Sequence, residues 1–339
     1  MNEGVSIALR YLSGRLGLVL VALVLSAYLA LALAPFRWVP PRHTLNAAAA
    51  GAGGLTFSAP GLARTRDAPG WLEQASDLGT LRLDLRLRTY APAPRRPGRI
   101  FTVSRDYHFR NLTLDQMGSD LVLRLRRPGG TPNGKPAYRL AGVLGDTNWH
   151  DIEVAIAPAS LRVTVDGTLA LARTLPERPL VGWDRRYLVA IGNELHGNLP
   201  WRGQVARAVV EVGPERIDYA TAGLLELPER FWAFANRPTW LFEDFVFPES
   251  LDDWVANFIA FVPLGFLLAA LGGKRDSWRR ALVLCAVASL VVEVAQAFFS
   301  RHPSTMDWVL NSLGGGVGAA MACWLVGRVA RSAPGTDGA

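Results

Sequence analysis

Four stretches of nearly unbroken apolar residues stand out along the chain, at 16–34, 255–272, 281–299 and 308–327. Each is close to the ~20 residues a helix needs to cross a bilayer. Lipid offers the backbone no hydrogen-bonding partners, so each run is expected to be a transmembrane helix. Between the first and second runs the pattern changes to a period of two. Leu81, Leu83, Leu85 and Leu87 alternate with charged residues, and similar alternation recurs at Leu121, Leu123 and Leu125, at Ile152, Val154 and Ile156, and at Leu161, Val163 and Val165, where Asp166-Gly167 marks a turn. Ile100 to Val103 and Tyr187 to Ile191 are further short strand candidates. No helical period intervenes, and many short strands without crossover helices predict an antiparallel sandwich. The fold class that follows is multi-domain: a four-helix α-helical membrane domain with an all-β antiparallel sandwich inserted between its first and second membrane helices.

The expected organisation is an N-terminal segment (1–15), a first helix (16–34), a linker rich in Pro, Ala and Gly (35–49), the sandwich (50–212), an aromatic segment (213–254), a second helix (255–272), a loop (273–280), a third helix (281–299), a fourth helix (308–327) and a tail (328–339). Arg10 and Arg15 precede the first helix, Lys274, Arg275, Arg279 and Arg280 lie between the second and third, and Arg328 and Arg331 follow the fourth. Positive residues near helix ends stay in the cytoplasm. That places both termini inside and exports the sandwich, with Arg301 and His302 in the short outer turn. The chain is expected in the cell membrane, and in the inner membrane of a host that has two, where the sandwich is periplasmic. The first run is longer than a usual signal core, and Pro35 directly after Ala34 hinders cleavage, which favours an uncleaved helix over a signal peptide. Phe231, Trp232, Trp240, Phe242, Phe245, Phe247 and Trp254 gather before the second helix. They fit either an interfacial belt on the outer leaflet or packing beneath the sandwich.

Composition narrows the function classes. The 339 residues are 50% hydrophobic with a net charge of +7, and the mean hydropathy is +0.17 with a pI near 9.9. Apolar residues concentrated in runs mark an integral membrane protein, and the lipid bilayer is its first partner. Nucleic acid is excluded as a partner because the arginines alternate along strands, as in LRLDLRLR and LVLRLRR, and read as a solvated face. Anionic envelope polymers or lipid head groups are the lesser reading of that face. Cys285 and Cys323 both fall in apolar runs, so the sandwich has no disulfide. No HExxH, GxSxG, CxxC or P-loop is present, and neither a cofactor nor a metal is expected.

Several polar residues are out of place in the apolar runs. Asn257 opens the second helix, Glu293 and Gln296 lie near the end of the third, and Asp307 and Asn311 begin the fourth. An ionisable group at membrane depth costs roughly 3 kcal/mol and is rarely left without a partner. In the expected topology Glu293 lies roughly 9 Å below the outer end of its helix, at 1.5 Å per residue. Asp307 is then at the outer surface and Asn311 one turn in, so the polar residues meet in the outer half of the membrane. Ala286, Ser289, Glu293 and Gln296 share one face of the third helix, and Asp307, Asn311, Gly315, Gly318 and Ala322 share one face of the fourth. A short turn makes these helices antiparallel neighbours. The small residues of that face, Gly315 and Gly318 among them, are expected to press the fourth helix against the polar face of the third, and Gly314 is a further helix-packing residue. Pro263 and Gly265 read as a kink or close-packing site, and Arg301 is placed to neutralise Glu293 or Asp307. Such a network either fixes the register of the hairpin or forms a site.

Two stretches resemble known families. The succession RIFTVSRDYHFRNLTLDQMGSDLVLRLRRP, VTVDG and IGNELHGNLPWRGQVA is similar to laminin G-like or concanavalin A-like domains over about 50–212, which implies a jelly-roll sandwich. Domains of that group bind glycans, peptides or membranes, and some are glucanases. The glucanases carry a Glu-x-Asp-x-x-Glu strand, whereas here Asp151 and Glu153 lack a third acid. The order Asn257, Pro263, Gly265, Glu293, Gln296, Arg301, Asp307, Asn311, Gly314 and Gly318, together with Pro35-Phe36, resembles the VanZ-like membrane family. That resemblance covers about 10–36 and 225–330. It implies an envelope protein, and the family's founding member is associated with resistance to teicoplanin. The expected function is binding of a surface glycan, a lipid-linked envelope molecule or a glycopeptide antibiotic. The alternative is a membrane-embedded enzyme acting on a lipid-linked substrate, with Glu293 or Asp307 as acid or base and Arg301 stabilising negative charge.

Overall fold

The computed structural model describes residues 14–234, 251–272, 277–299, 301 and 303–332. The chain forms two compact units, one of them Arg42–Phe234 and the other the helices on either side of it in sequence.

Arg42–Phe234 is an antiparallel sandwich. The larger sheet runs in the order Thr168–Thr174 (β12), Ser160–Val165 (β11), His150–Ala157 (β10), Leu81–Thr89 (β5), Gly203–Val212 (β14), Gly54–Phe57 (β3) and Ala48–Gly51 (β2), with Glu215–Asp218 (β15) also paired to β14. The smaller sheet runs Ala63–Arg64 (β4), Leu188–Ile191 (β13), Gly98–Ser104 (β6), Arg110–Met117 (β7), Asp120–Leu125 (β8) and Tyr138–Leu140 (β9). Arg42–Leu45 (β1) and Arg230–Ala233 (β16) make a separate pair. The alternation read from the sequence is the cause of the layering. Leu81, Leu83, Leu85 and Leu87 are buried with Ile152, Val154 and Ile156 beside them, while the intervening arginines face out. Burying each such side chain stabilises by about 1.5–3 kcal/mol before entropy is counted. At the β11–β12 hairpin Asp166 and Gly167 both have positive φ, the geometry a tight two-residue hairpin turn requires.

The sandwich is wider than the period-two pattern implied. β1 and β2 occupy the expected linker, and β15 and β16 occupy part of the expected aromatic segment. The Ala-rich β2 has no alternation to betray it, and hydrogen bonds fix this region. Asn46 donates to the carbonyls of Leu62 and Pro228, both at 2.8 Å, and accepts from the N–H groups of Ala48 at 3.0 Å and Leu62 at 2.8 Å. Phe231 is buried against Leu62 and Ala190, as packing beneath the sandwich requires, whereas Trp232 is 52% exposed. Trp240, Phe242, Phe245 and Phe247 lie outside the described residues. The expectation of no helix within the sandwich is also corrected. Trp71–Leu78 (α2) stands between β4 and β5, burying Trp71, Leu72, Ala75 and Ser76, and ends at Gly79 in the left-handed conformation. Two turns are too short to show a helical period, and the tie that holds them is remote: the Trp71 indole donates to the Tyr219 hydroxyl at 2.7 Å.

β6 and β7 are buried along almost their whole length, and the loop carrying IGNELHGNLPWRG is tied to them, with the Trp201 indole donating to Gln116 Oε1 at 2.8 Å. This places charge in the interior. Arg99 is ion-paired to Asp115 and, at 2.8 Å, to Glu194, whose other oxygen accepts from the Ser104 hydroxyl at 2.6 Å. Burial works against the charge on Arg99, and the two carboxylates outweigh it and raise its pKa. Arg110 is pushed down to about 10 by burial and by repulsion from Arg99. Asn111 is fully buried and exchanges hydrogen bonds with the backbone of Asp184 at 2.8 and 3.0 Å, so the Asn-Leu-Thr sequon is closed off in the folded chain.

The second unit contains Arg15–Leu33 (α1), Leu251–Gly272 (α3), Ser277–Gln296 (α4) and Thr305–Ser332 (α5). Three of these, α1, α3 and α5, are long and apolar enough to cross a membrane. Helix α4 carries Arg279, Arg280 and Glu293 within its length. Glycines set the packing of α3 on α5. A Cβ built on Gly314 would lie 2.9 Å from the carbonyl carbon of Phe258, and one built on Gly318 would lie 2.9 Å from that of Val262 and closer still to its oxygen. The two contacts advance four residues together, so α3 and α5 run parallel. The expectation that the ridge faces the third membrane helix is therefore corrected. Gly314 and Gly318 press on α3, Gly265 of α3 presses on Gly315, and an added Cβ on Gly315 would lie 2.6 Å from Cys285 Cβ on α4. Gly315 and Gly318, placed on one face by their spacing, have their nearest neighbours on different helices.

Candidate functional site

The polar residues gather at one end of the helical unit. Along α4 the buried stripe is Ser277, Ala281, Cys285, Ser289, Val292, Glu293 and Gln296, steps of three and four residues that make one face. On α5 the buried residues include Asn311, Gly314, Gly315, Gly318, Ala319 and Ala322. The turn between them is built by Ser304, the N-cap of α5, whose hydroxyl oxygen accepts from the N–H groups of Met306 at 3.1 Å and Asp307 at 3.2 Å. Ser304 in turn donates its own N–H to Glu293 Oε2 at 2.8 Å. The carboxylate thus sits against the positive end of α5, a favourable place for a negative charge. It is 7% exposed.

One step deeper, Asn311 is fully buried and its Nδ2 donates to the Tyr28 hydroxyl at 2.8 Å and to Ser289 Oγ at 2.9 Å. Three helices, α1, α4 and α5, are joined by that one amide. Gln296 ties α4 to the end of α1 by donating to the Ala32 carbonyl at 3.2 Å. Beyond α1, Trp38 stacks on Phe298 at 5.7 Å, and the Val39 N–H donates to the Phe298 carbonyl at 2.7 Å. Each of the two buried amides leaves part of its capacity unfilled: Asn311 Oδ1 and Gln296 Oε1 have no hydrogen-bond partner among the described residues. A buried polar atom left in that state costs about 1–3 kcal/mol.

Of the residues read from the sequence, Glu293, Gln296 and Asn311 are buried at this end, Asp307 is half-buried at the first turn of α5, and Arg301 is exposed in the turn. Asn257 is half-buried near the start of α3, one residue before the carbonyl that meets Gly314. Pro263 is exposed within α3, and Gly265 and Gly314 serve helix contact. The sequence reading missed Tyr28. Its only signal was a phenol alone in the apolar run LVLSAYLALAL; its ring stands edge-on to Phe261 at 4.5 Å, and its hydroxyl meets Asn311. In the sandwich, Asp151 and Glu153 are each tied to arginines, Asp151 to Arg86 at 2.6 Å and Arg207 at 2.9 Å, and Glu153 to Arg82 at 2.8 Å.

Residues 216–326 match the family model described as VanZ/LLP1. The chain carries a VanZ-like membrane region. The match takes in α3, α4 and most of α5, and with them the Glu293–Ser304 and Asn311–Ser289 contacts. With the candidate spans, it makes the chain a membrane protein. No curated protein matches this chain. Among solved structures, the binding domain of botulinum neurotoxin DC is 9% identical with a TM-score of 0.37, covering 51% of this chain and 43% of that one. The CBM40 domain of Ruminococcus gnavus IT-sialidase is 12% identical with a TM-score of 0.36, covering 48% and 92%. A SAP-like pentraxin from Limulus polyphemus is 13% identical with a TM-score of 0.34, covering 48% and 77%. This chain spans less than half the length of the botulinum chains it matches. These likenesses concern the sandwich fold alone.

Proposed function

We propose that the VanZ-like region holds an amphipathic envelope molecule, a lipid-linked glycan or a glycopeptide, at the end of the bundle lined by Tyr28, Glu293, Gln296 and Asn311, and that the sandwich engages its glycan part. All four long helices cross the membrane in this reading, with both termini cytoplasmic and the sandwich inserted between α1 and α3 on the outer side. Helix ends support that arrangement. The C-terminal ends of α1 and α4 are joined through Gln296, and the N-terminus of α5 meets Glu293 beside them. Helix α3 runs parallel to α5, so it too begins at that level.

The observation that carries the reading is the pair of buried amides with unfilled hydrogen-bonding capacity beside a buried carboxylate. A network that served the hairpin alone would gain by filling them or replacing them with apolar side chains. A ligand with hydroxyl or amide groups fills them on binding. The test is ligand-dependent stability of the detergent-solubilised protein with a polyprenyl-linked saccharide. At a hundredfold excess over Kd, a ligand stabilises by about 2.7 kcal/mol. The wild type is expected to melt higher with ligand and Asn311→Ala to show no such rise. Absence of a rise with polyprenyl-linked saccharide, glycopeptide and free polyprenyl phosphate alike sinks the proposal.

A further inference from the structure

The outer face of the larger sheet changes character along β5. In its middle, Arg86 pairs with Asp151 at 2.6 Å, and Arg207 bridges Asp84 and Asp151, each at 2.9 Å. These arginines are neutralised where they stand. At the end of the strand the row is different. Arg88 has Gln204 opposite it on β14. On the other side His150 pairs with Leu87, which sets Trp149 beside Arg88. The guanidinium lies 4.9 Å from the Trp149 ring centre and 5.7 Å from that of Tyr90. Its Nε and Nη2 donate to Gln204 Oε1 at 3.2 and 3.0 Å, and among the described residues no carboxylate meets it.

We infer that this aromatic and cationic end of the sheet is a binding site for an acidic oligosaccharide, with a sugar carboxylate on the free edge of Arg88 and the sugar ring against Tyr90. The inference rests on the reading that the sandwich engages a glycan, and it names the place and the charge. A guanidinium offers five N–H donors in a planar fork that matches a carboxylate, and the bond to Gln204 uses two of them. Stacking on Trp149 holds the fork extended, so little rotamer freedom is lost on binding. Tyr90 is 38% exposed and presents a ring face of the kind an apolar sugar face covers. The glutamine matters as much as the arginine. A carboxylate at 204 would neutralise Arg88 as Asp151 neutralises Arg86, whereas an amide orients the fork and leaves its charge unspent.

The experiment uses full-length protein in detergent on a biosensor surface, with oligogalacturonate as probe and its methyl-esterified form, which has the same rings without the charge. The wild type is expected to bind oligogalacturonate at least tenfold more tightly than the ester. Arg88→Gln and Tyr90→Ala are expected to lose at least tenfold, and Gln204→Glu to lose as much as Arg88→Gln. Arg162→Gln, on β11 of the same sheet, is expected to bind as the wild type does, with melting temperatures unchanged throughout. Equal binding of acid and ester, or binding indifferent to Arg88→Gln, overturns this site while leaving a glycan role for the sandwich. Failure to bind any saccharide across an array of neutral and acidic glycans overturns that role as well.

Discussion

Replacing Gly318 by Ala tests the packing that positions the proposed site. An alanine Cβ there would stand 2.9 Å from both the Val262 carbonyl carbon and the Phe266 nitrogen, where an ordinary contact begins at 3.4 Å. Both neighbours are backbone of α3 and the Val262 carbonyl oxygen stands closer still, so relief comes only by parting the helices by about 1 Å or more, enough to forfeit about half of each dispersion contact along the seam. Overpacking of this kind costs about 1–3 kcal/mol. Against it stands the helix preference for Ala over Gly, about 1 kcal/mol. The balance is a loss of up to about 2 kcal/mol for Gly318→Ala, and more for Gly314→Ala and Gly318→Ala together. Gly327 supplies the control on the same helix, since an added Cβ there meets nothing within 4 Å and only the propensity gain remains. Cys285 provides the readout, because it is fully buried beside Gly315. Labelling by a thiol-reactive dye during a thermal ramp in detergent, with Cys323 replaced by Ala, reports the opening of this seam. Gly318→Ala should label at lower temperature than the parent and Gly327→Ala at the same or a higher one. Identical curves for the two variants refute the account of the seam.

Other consequences lie in the sandwich. Asn46→Ala removes four hydrogen bonds that join β1, β2 and the strands beside them, and at about 1 kcal/mol each a loss of roughly 2–4 kcal/mol is expected in thermal or denaturant unfolding. A variant within 0.5 kcal/mol of the wild type contradicts it. His150 is hydrogen-bonded by Asp166 at 2.8 Å and Asp146 at 3.2 Å. Burial opposes its protonation, the two carboxylates outweigh that, and its pKa is raised. Its contribution to stability is therefore full below the ordinary value of about 6.5 and is lost as the pH rises through the raised folded value. NMR titration of the imidazole should give a value above that of a model peptide, and His150→Gln should remove this part of the pH dependence. A value at or below the peptide's contradicts the clasp.

Periodicity carried most of the architecture. The helices begin and end within a few residues of the apolar runs, and leucine alternation marked β5, β8, β10 and β11, because burial of one face forces that spacing. What it could not show is what depends on distant partners. β2 has only alanines and a glycine, α2 has two turns, and both are held by residues far away in sequence, Asn46 through Leu62 and Pro228, Trp71 through Tyr219. The buried polar residues of the helical unit were legible for a different reason. An acid or amide in an apolar run is costly wherever it falls, so Glu293, Gln296 and Asn311 announced themselves, and the turn length brought them together. Tyr28 did not, since a phenol is common in membrane helices and only the fold shows that its hydroxyl meets Asn311. The direction of the glycine ridge was lost because a spacing of three or four residues fixes a shared face of a helix but not which neighbour that face meets.

Native mass spectrometry of the detergent-purified full-length protein, compared with its Glu293→Gln, Asp307→Asn variant, tests the central claim most directly. The account predicts that the wild type carries a lipid-linked glycan or related amphipathic species that the equally folded variant has lost. If both are empty, or both carry the same species to the same extent, Glu293 and Asp307 do not hold a ligand and the buried amides serve the bundle alone. If instead the variant accumulates an intact species that the wild type holds only in altered form, the site is catalytic and the binding account is wrong.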